Sequence, residues 1–570
     1  MINNNKYGIS IFIGSLFFYF LFKLPFNLSV LCGSSNEGFY FIYGQYLASG
    51  GGLRASGGLL NVLVYATVLK IFGFGTSSII AVHFLHTIVV IFIGIFIYLI
   101  ARKIFNDNFY SALTVFLWIL LQITPTGAWG NILELESILS LEAEYFCLLC
   151  SFSSIYYFSR SLNKKNPKIL SFISGILATC SVLFKMSGGV LIVAIICWII
   201  YLLLFERQYL TTINQNLIYF FIGFAVCFLT INFLICLLKN DLILYWKNSF
   251  LIGSYSTNFL QTPKSFLLML LKFMCRGKPA LNSNFVLFVF AFIFFVWGLI
   301  RNIILKAEKS FMNIGIPLLS IWSIGNCFAV LAPGAYASYY YILLWPSIAI
   351  FLMIGIKDLF KYNHFLKNQY FKIIIIFFIS LFFIHRCSKV LPEHINMIKT
   401  YLPLNIFSQS QSFQDPVLPY DINSFKRPFV LKIADLLNGL LPDKNDRIYI
   451  FHFAKHRTFG PPIYIYMKRL PPTTEVCDYL HEQRKIKTSV QKLIHDLIQA
   501  PPRIFMKSQV LYLKPDSFTL LADDLKPLIG WLNLFLKKNY HLKTMFSYKY
   551  SPDDESEIYE IYERNYQGSL

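Results

Sequence analysis

Charge is what this 570-residue chain has least of: Asp, Glu, Lys and Arg together make up 14%. A soluble domain carries roughly 25%. The shortage is uneven, because from Gly8 to about Ile384 the chain is a series of apolar runs, and charge returns only afterwards. Zinc-type spacing is also missing. The 11 cysteines are scattered, with no paired CxxC and no His/Cys cluster. Cys147, Cys150, Cys180, Cys197, Cys227 and Cys236 fall inside apolar runs, where they act as small hydrophobes. Cys477 alone lies deep in the C-terminal region, which excludes an internal disulfide framework there. Acidic residues are scarce: 50 Lys+Arg face 29 Asp+Glu, a net charge of +21. Much of that excess sits in short loops between apolar runs, where it sets membrane orientation. Nucleic-acid binding is therefore not the reading.

What is present is membrane. Hydrophobic residues make up 56% of the chain, and its mean hydropathy is +0.56. Most runs are long enough to cross the roughly 30 Å hydrocarbon layer as helices. About eleven spans are expected, starting near Tyr7, Ser77, Tyr110, Ser137, Ile169, Gly188, Asn216, Asn284, Met312, Tyr339 and Phe371. The first reads as an uncleaved signal anchor, with Lys23 snorkelling to the interface. Arg102/Lys103, Arg160/Lys164/Lys165/Lys168, Arg207, Arg301/Lys306/Lys309 and Lys357/Lys361/Lys367/Lys372 occupy alternate loops. By the positive-inside rule those loops are cytoplasmic. The elaborate loops, and everything after about Arg386, then face the other side. In the first outer loop Glu37–Tyr43 is aromatic and amphipathic and Leu59–Phe72 is too short to span comfortably; both read as helices at the interface, with a re-entrant or poorly spanning segment as the structural alternative.

The expected organisation is a transmembrane domain over 1–388, a linker over 389–428 and an extracytoplasmic α/β domain over 429–570. Strands are expected at Arg447–Phe451, Arg503–Met506 and Ile558–Tyr562, and helices at Ser489–Gln499 and Leu525–Lys537.

Charged residues at membrane depth are functional candidates. They are Asn36-Glu37 beyond the first span, Glu134, Glu136, Glu142 and Glu144 around the fourth, and Lys185 at an outer turn. Glu142 and Glu144 are two residues apart, about 200° around a helix, so only one can face a given cavity. A cation with carboxylates suits a phosphate-linked substrate: Lys as point charge, a carboxylate as general base. Snorkelling and helix-start carboxylates are the structural alternative. His83 and His86 share a helix face but have no ligand partner near in sequence, and read as packed neutral histidines.

Asn36-Glu37-Gly38-Phe39-Tyr40, Leu47-Ala48-Ser49-Gly50-Gly51 and Leu59–Tyr65 leading to Lys70-Ile71-Phe72-Gly73 resemble the first outer loop of GT-C glycosyltransferases. The similar groups are of the aminoarabinose-transferase and protein O-mannosyltransferase type. Gly175…Phe184-Lys185-Met186-Ser187-Gly188, Glu142-Ala143-Glu144-Tyr145-Phe146, Tyr336–Pro346 and the tail through Tyr562-Glu563-Arg564 continue the resemblance along nearly the whole chain.

The resemblance implies transfer of a sugar from a polyprenyl-phosphate carrier to a lipid, glycan or protein acceptor at the non-cytoplasmic face, with inversion. It makes Asn36 and Glu37 the catalytic pair, Glu144 (or Glu142) a second acidic site and Lys185 a lipid-phosphate contact; with Asn36 in the family's Asp position, either Glu37 is the base, or Glu144 is, or the protein is catalytically altered. Tyr40, and Tyr339 in the late aromatic turn, become substrate contacts. A divalent metal is left open, with no dedicated protein cage in view. Two departures stand out. Asn36 occupies the usual Asp position, and an amide cannot take a proton as a carboxylate does. Ala55-Ser56-Gly57-Gly58 replaces the usual Lys-Pro-Pro, with Arg54 as a substitute cation. Two rival readings are a polyprenyl-lipid transporter or flippase, for which no internal repeat is evident, and a non-catalytic binding protein on the same fold.

Overall fold

The computed structural model describes residues 2–28, 35–51, 58–123, 141–162, 167–205, 210–237, 246, 293, 296, 312–331 and 342–362. In the C-terminal region it describes 427–441, 443, 445–451, 463–464, 467–469, 471, 486–508, 528–548 and 557–565. The chain forms two compact units. The first comprises Met1–Ser29, Gly52–Asn61 and Ile80–Ser408, and the second Val30–Gly51, Val62–Ile79 and Gln409–Leu570.

The helices of the body are α1 (Ile2–Asn27), α2 (Ser35–Ala48), α3 (Leu59–Phe72), α4 (Thr76–Phe105), α5 (Asn108–Ile123) and α6 (Ala143–Ser161). They continue with α7 (Pro167–Phe184), α8 (Gly189–Phe205), α9 (Leu210–Leu237), α10 (Met312–Leu331) and α11 (Trp345–Tyr362). Among the described residues, five segments are long and apolar enough to cross a membrane: Tyr7–Asn27, Thr76–Phe105, Pro167–Phe184, Met186–Leu204 and Ile213–Leu237. The protein is a polytopic helical membrane protein. The spans expected from Asn284 and Phe371 lie outside the described residues. The fourth begins at Ala143 rather than near Ser137, because Leu141 and Glu142 are not helical.

Small and hydroxyl-bearing residues let the first unit's helices approach closely, as apolar attraction alone cannot in lipid. A Cβ on Gly175 of α7 would collide with the Phe220 carbonyl of α9, and one on Gly223 would collide with the Phe172 carbonyl. Between α6 and α7 runs a ladder of serines. Ser151 meets Ser181 at 2.7 Å, Ser154 meets Ser174 at 2.9 Å, and Ser171 donates to Ser161 at 2.9 Å. Each helix carries its serines at heptad-like spacing, which holds them on one face. Lys357 of α11 donates to the Phe105 carbonyl at 2.8 Å. Both ends belong to loops that the charge pattern assigns to the same side.

Lys23 departs from the snorkelling expectation. It is wholly buried, its ammonium 4.4 Å from the centre of the Phe26 ring. Cation–π contact on a neighbouring turn holds it inside the bundle.

In the second unit, α2 and α3 are helical, as their patterns predict. Glu37 and Phe39–Tyr43 of α2 are all buried. Phe41 and Tyr65 pack edge to face at 4.9 Å, and Gly44 lies where a Cβ would crowd the Tyr65–Ala66 backbone.

The C-terminal part holds α12 (Arg427–Gly439), β1 (Ile448–Phe451), α13 (Ile486–Gln499), β2 (Ile504–Ser508), a helix α14 over 528–539, β3 (Tyr540–Tyr548) and β4 (Glu557–Arg564). The sheet order is β1-β2-β4-β3. β1 and β2 are parallel, and β4 is antiparallel to both β2 and β3. Parallel β1 and β2 require a crossover, and α13 lies within it. The core beneath the sheet joins Tyr449, Phe451 and Phe505 to Leu493 and Leu497 of α13 and Leu528, Leu532 and Leu536 of α14. The three expected strands are present. β3 is additional, following α14 with no intervening loop. It is an edge strand with Leu542 and Met545 exposed and a bulge between Leu542 and Thr544, so it lacks the buried alternation that marks strands in sequence.

Candidate active site

The Glu144 carboxylate of α6 and the lysine after α7 meet inside the first unit. Helix α7 stops at Phe184, and Lys185 takes an extended backbone (φ −155°, ψ 138°). A single 3-10 turn over Met186–Gly188 then leads into α8. Two backbone bonds shape this corner: Lys185 N–H donates to the Ser181 carbonyl at 3.1 Å, and Gly188 N–H to the Lys185 carbonyl at 2.8 Å. The expected tight turn at Lys185–Ser187 is this corner.

Two glycines make room for it. A Cβ on Gly188 would collide with the backbone and side chain of Ser181. Gly58, at φ +81°, presses against the Phe184 carbonyl so closely that a Cβ could not fit there. Only glycine adopts that φ without strain while allowing this approach.

Lys185 Nζ donates to Glu144 Oε1 in a close ion pair. The Glu144 side chain is fully buried, whereas that of Lys185 is 26% exposed. An ammonium carries three donors, so the group that grips Glu144 is also reachable from outside. The other carboxylate oxygen, Glu144 Oε2, is buried with no hydrogen-bond partner among the described residues. Glu142 sits at the N-cap of α6 in extended conformation (φ −79°, ψ 152°), and its side chain does not cap the helix. The helical 200° argument therefore does not apply to the Glu142–Glu144 pair. Glu144, in the first turn of α6, reaches Lys185.

Around this pair the wall is mixed. Phe146 and Phe184 stack at 4.6 Å. Cys147 Sγ lies 3.3 Å from Ser181 Oγ, which donates to the Cys147 carbonyl at 3.0 Å. His83 packs on Phe26 and His86 on Tyr145, with ring centres 4.9 and 4.2 Å apart. No group of three or more His, Cys, Asp or Glu among the described residues could hold a metal ion.

Glu37 and Tyr40 belong to the second unit. Glu37 is buried in the first turn of α2, where the helix N-terminus favours a carboxylate. Tyr40 is buried, its ring 5.5 Å from that of Tyr65. Asn36 opens the same turn, but its side chain lies outside the described residues, as do Arg54, Glu134, Glu136 and Tyr339.

Residues 58–236 match the family model of dolichyl-phosphate-mannose-protein mannosyltransferases. No curated protein sequence matches the chain. Among solved structures it is similar to ArnT from Cupriavidus metallidurans bound to undecaprenyl phosphate, with TM-score 0.55 and 9% identity, covering 97% of each chain. It is also similar to the archaeal oligosaccharyltransferase AglB from Archaeoglobus fulgidus in complex with an inhibitory peptide and a dolichol-phosphate. There the TM-score is 0.50 and the identity 12%, covering 97% of this chain and 74% of that one. The chain thus has the GT-C fold of integral membrane glycosyltransferases. The matched stretch contains the Gly58 contact, the α6 carboxylates and the Lys185 turn.

Proposed function

We propose that the protein is an inverting glycosyltransferase that moves a sugar from a polyprenyl-phosphate carrier to a lipid, glycan or protein acceptor at the non-cytoplasmic face of a cell membrane. The observation that carries this reading is the Glu144–Lys185 pair, a half-reachable cation on a glycine-clamped turn inside a GT-C helical body. In the reaction, an acceptor hydroxyl attacks the anomeric carbon from the face opposite the phosphate. The bond from that carbon to the phosphate oxygen breaks, and the polyprenyl phosphate leaves with its electron pair. The acceptor proton passes to a carboxylate.

Lys185 holds the phosphate and stabilises the charge that grows on it. Glu144 aims the ammonium. Glu37 is the base, because Asn36 cannot accept the proton. Arg54 and Tyr339 remain proposed substrate contacts on the resemblance. So does Tyr40, and Glu142 is a second carboxylate beside the phosphate site. The C-terminal domain faces the same side as the reaction.

The test uses the purified full chain with radiolabelled polyprenyl-phosphate sugars and a panel of acceptors. Transfer that falls steeply in both Glu37→Gln and Lys185→Ala is the expected outcome. Transfer that neither substitution touches removes these residues from the mechanism. Donor binding with no transfer to any acceptor favours a non-catalytic binding protein on the same fold.

A further inference from the structure

At one end of the C-terminal sheet lies a cavity of about 680 Å³ that plays no part in the proposed reaction. It opens where β1 and β2 begin, where β4 ends and where α14 passes into β3. Arg447, Lys538 and Arg564 line it. No side chain of these three is paired with a carboxylate among the described residues. The lining carboxylate, Asp446, is already engaged by Arg503 at 3.0 Å. Among the described residues the cavity therefore presents three cations not paired with a carboxylate.

Amides stand between those cations: Asn445, Asn539 and Asn565. An amide offers both donor and acceptor, the complement of a hydroxyl group. Beside this cavity is a second, of about 420 Å³, which shares Lys538, Asn539 and Arg564 with it. Its wall is the Trp531 ring, stacked on Phe535 at 4.8 Å. The two form one groove, of a size that holds small organic ligands.

The rim is preorganised. Arg469 donates to the carbonyls of Leu441, Asp443 and Asp446 at 2.6–2.8 Å, which braces the loop presenting Asn445 and Arg447. Asn565 N–H donates to the Asn539 carbonyl at 2.8 Å, fixing the opposite wall. A groove that only needed a solvated charged surface would not require such bracing.

Cations, amides and an aromatic face together select one class of ligand. The cations ask for a carboxylate or phosphate, the amides for hydroxyls, and the indole for the apolar face of a ring. From this we infer that the C-terminal domain carries a separate binding groove for an acidic saccharide. Arg447, Lys538 and Arg564 hold its anionic group, and Trp531 stacks against a sugar ring.

The inference is tested by calorimetry on the full chain in nanodiscs of neutral lipid, without any donor or turnover. Failure here leaves the transferase reading untouched, and failure of transfer leaves this one untouched. The probes are trigalacturonate, neutral maltotriose and inorganic phosphate. Trigalacturonate binds, maltotriose does not, and added salt weakens the binding. Lys538→Gln and Arg564→Gln each weaken it by about tenfold, the scale of one charge-assisted hydrogen bond. Trp531→Ala weakens trigalacturonate and leaves phosphate unchanged. Lys538 and Arg564 are exposed and Trp531 is half-buried against the core, and thermal unfolding checks that the variants fold. Equal binding of trigalacturonate and maltotriose, or binding unaltered in the variants, overturns the proposal. So does phosphate binding as tightly as trigalacturonate, which would leave a bare anion site. No trigalacturonate binding, with adsorption to anionic vesicles lost in the same variants, assigns the groove to the membrane surface instead.

Discussion

Two ion-pair systems in this molecule follow opposite designs. In the helical body one cation meets one buried carboxylate, Lys185 with Glu144, on a turn that two glycines hold in place. In the C-terminal sheet the carboxylate of Glu563 is shared. Lys543 approaches at 2.9 Å, Arg503 at 3.5 Å and His541 at 3.9 Å, and Arg503 also reaches Asp446. The shared network is redundant and near water, so losing one member changes little. The Lys185–Glu144 pair is buried on its carboxylate side, and a buried ion pair is a weak source of stability for what it costs to desolvate. A pair kept under those terms is better explained by what it does to a ligand.

This contrast sets the order of expected effects. Lys185→Ala is the largest: transfer falls beyond a hundredfold. Folding also weakens, on the order of 3 kcal/mol, because Glu144 is left buried without its cation. Chemical denaturation in detergent checks the second effect. Lys185→Ala with Glu144→Gln recovers much of the stability and none of the activity. If the double variant recovers activity as well, the pair is structural. Glu37→Gln lowers transfer by roughly 10²- to 10⁴-fold, the range for a lost general base. Its unfolding midpoint stays near that of the wild type.

Gly58→Ala comes next. It adds a Cβ at positive φ against the Phe184 carbonyl, so the turn must move. An order of magnitude in rate is expected, read in the same assay, because a displacement near 1 Å at a phosphate site is costly. Ser154→Ala in the serine ladder is smaller, about 0.6 kcal/mol in a membrane helix pair, measured by unfolding.

The smallest effect is in the shared network. The Lys543 ammonium, with Arg503 behind it, holds the Glu563 carboxyl below its ordinary range. A depressed folded-state value gives stability that is present above the unfolded value and is lost as pH falls through the folded one. Glu563→Gln should therefore lower stability slightly at neutral pH and lack the shallow acid step below pH 4.5, so that the two proteins converge in acid, read by denaturation across pH.

Periodicity and run length carried much of the architecture. Apolar runs marked the spans, the Phe184-Lys185-Met186-Ser187-Gly188 stretch marked a turn, and short β-branched and aromatic runs marked β1, β2 and β4. What sequence could not carry was pairing across distance. Glu144 and Lys185 are 41 residues apart, and only the antiparallel α6–α7 hairpin brings their ends together. Arg447, Lys538 and Arg564 are dispersed over more than a hundred residues, and only the sheet gathers them at one end. Lys23 shows the converse error: a lysine at a span end suggests snorkelling, whereas an aromatic neighbour one turn away can hold it inside.

The most direct test of the central claim is equilibrium binding of undecaprenyl phosphate to the full chain and to Lys185→Ala/Glu144→Gln. That double variant removes the cation without leaving a buried charge behind. The account predicts saturable binding to the wild type, weakened more than tenfold in the double variant and largely restored when Lys185 is replaced by Arg. Equal affinity in all three proteins would contradict it.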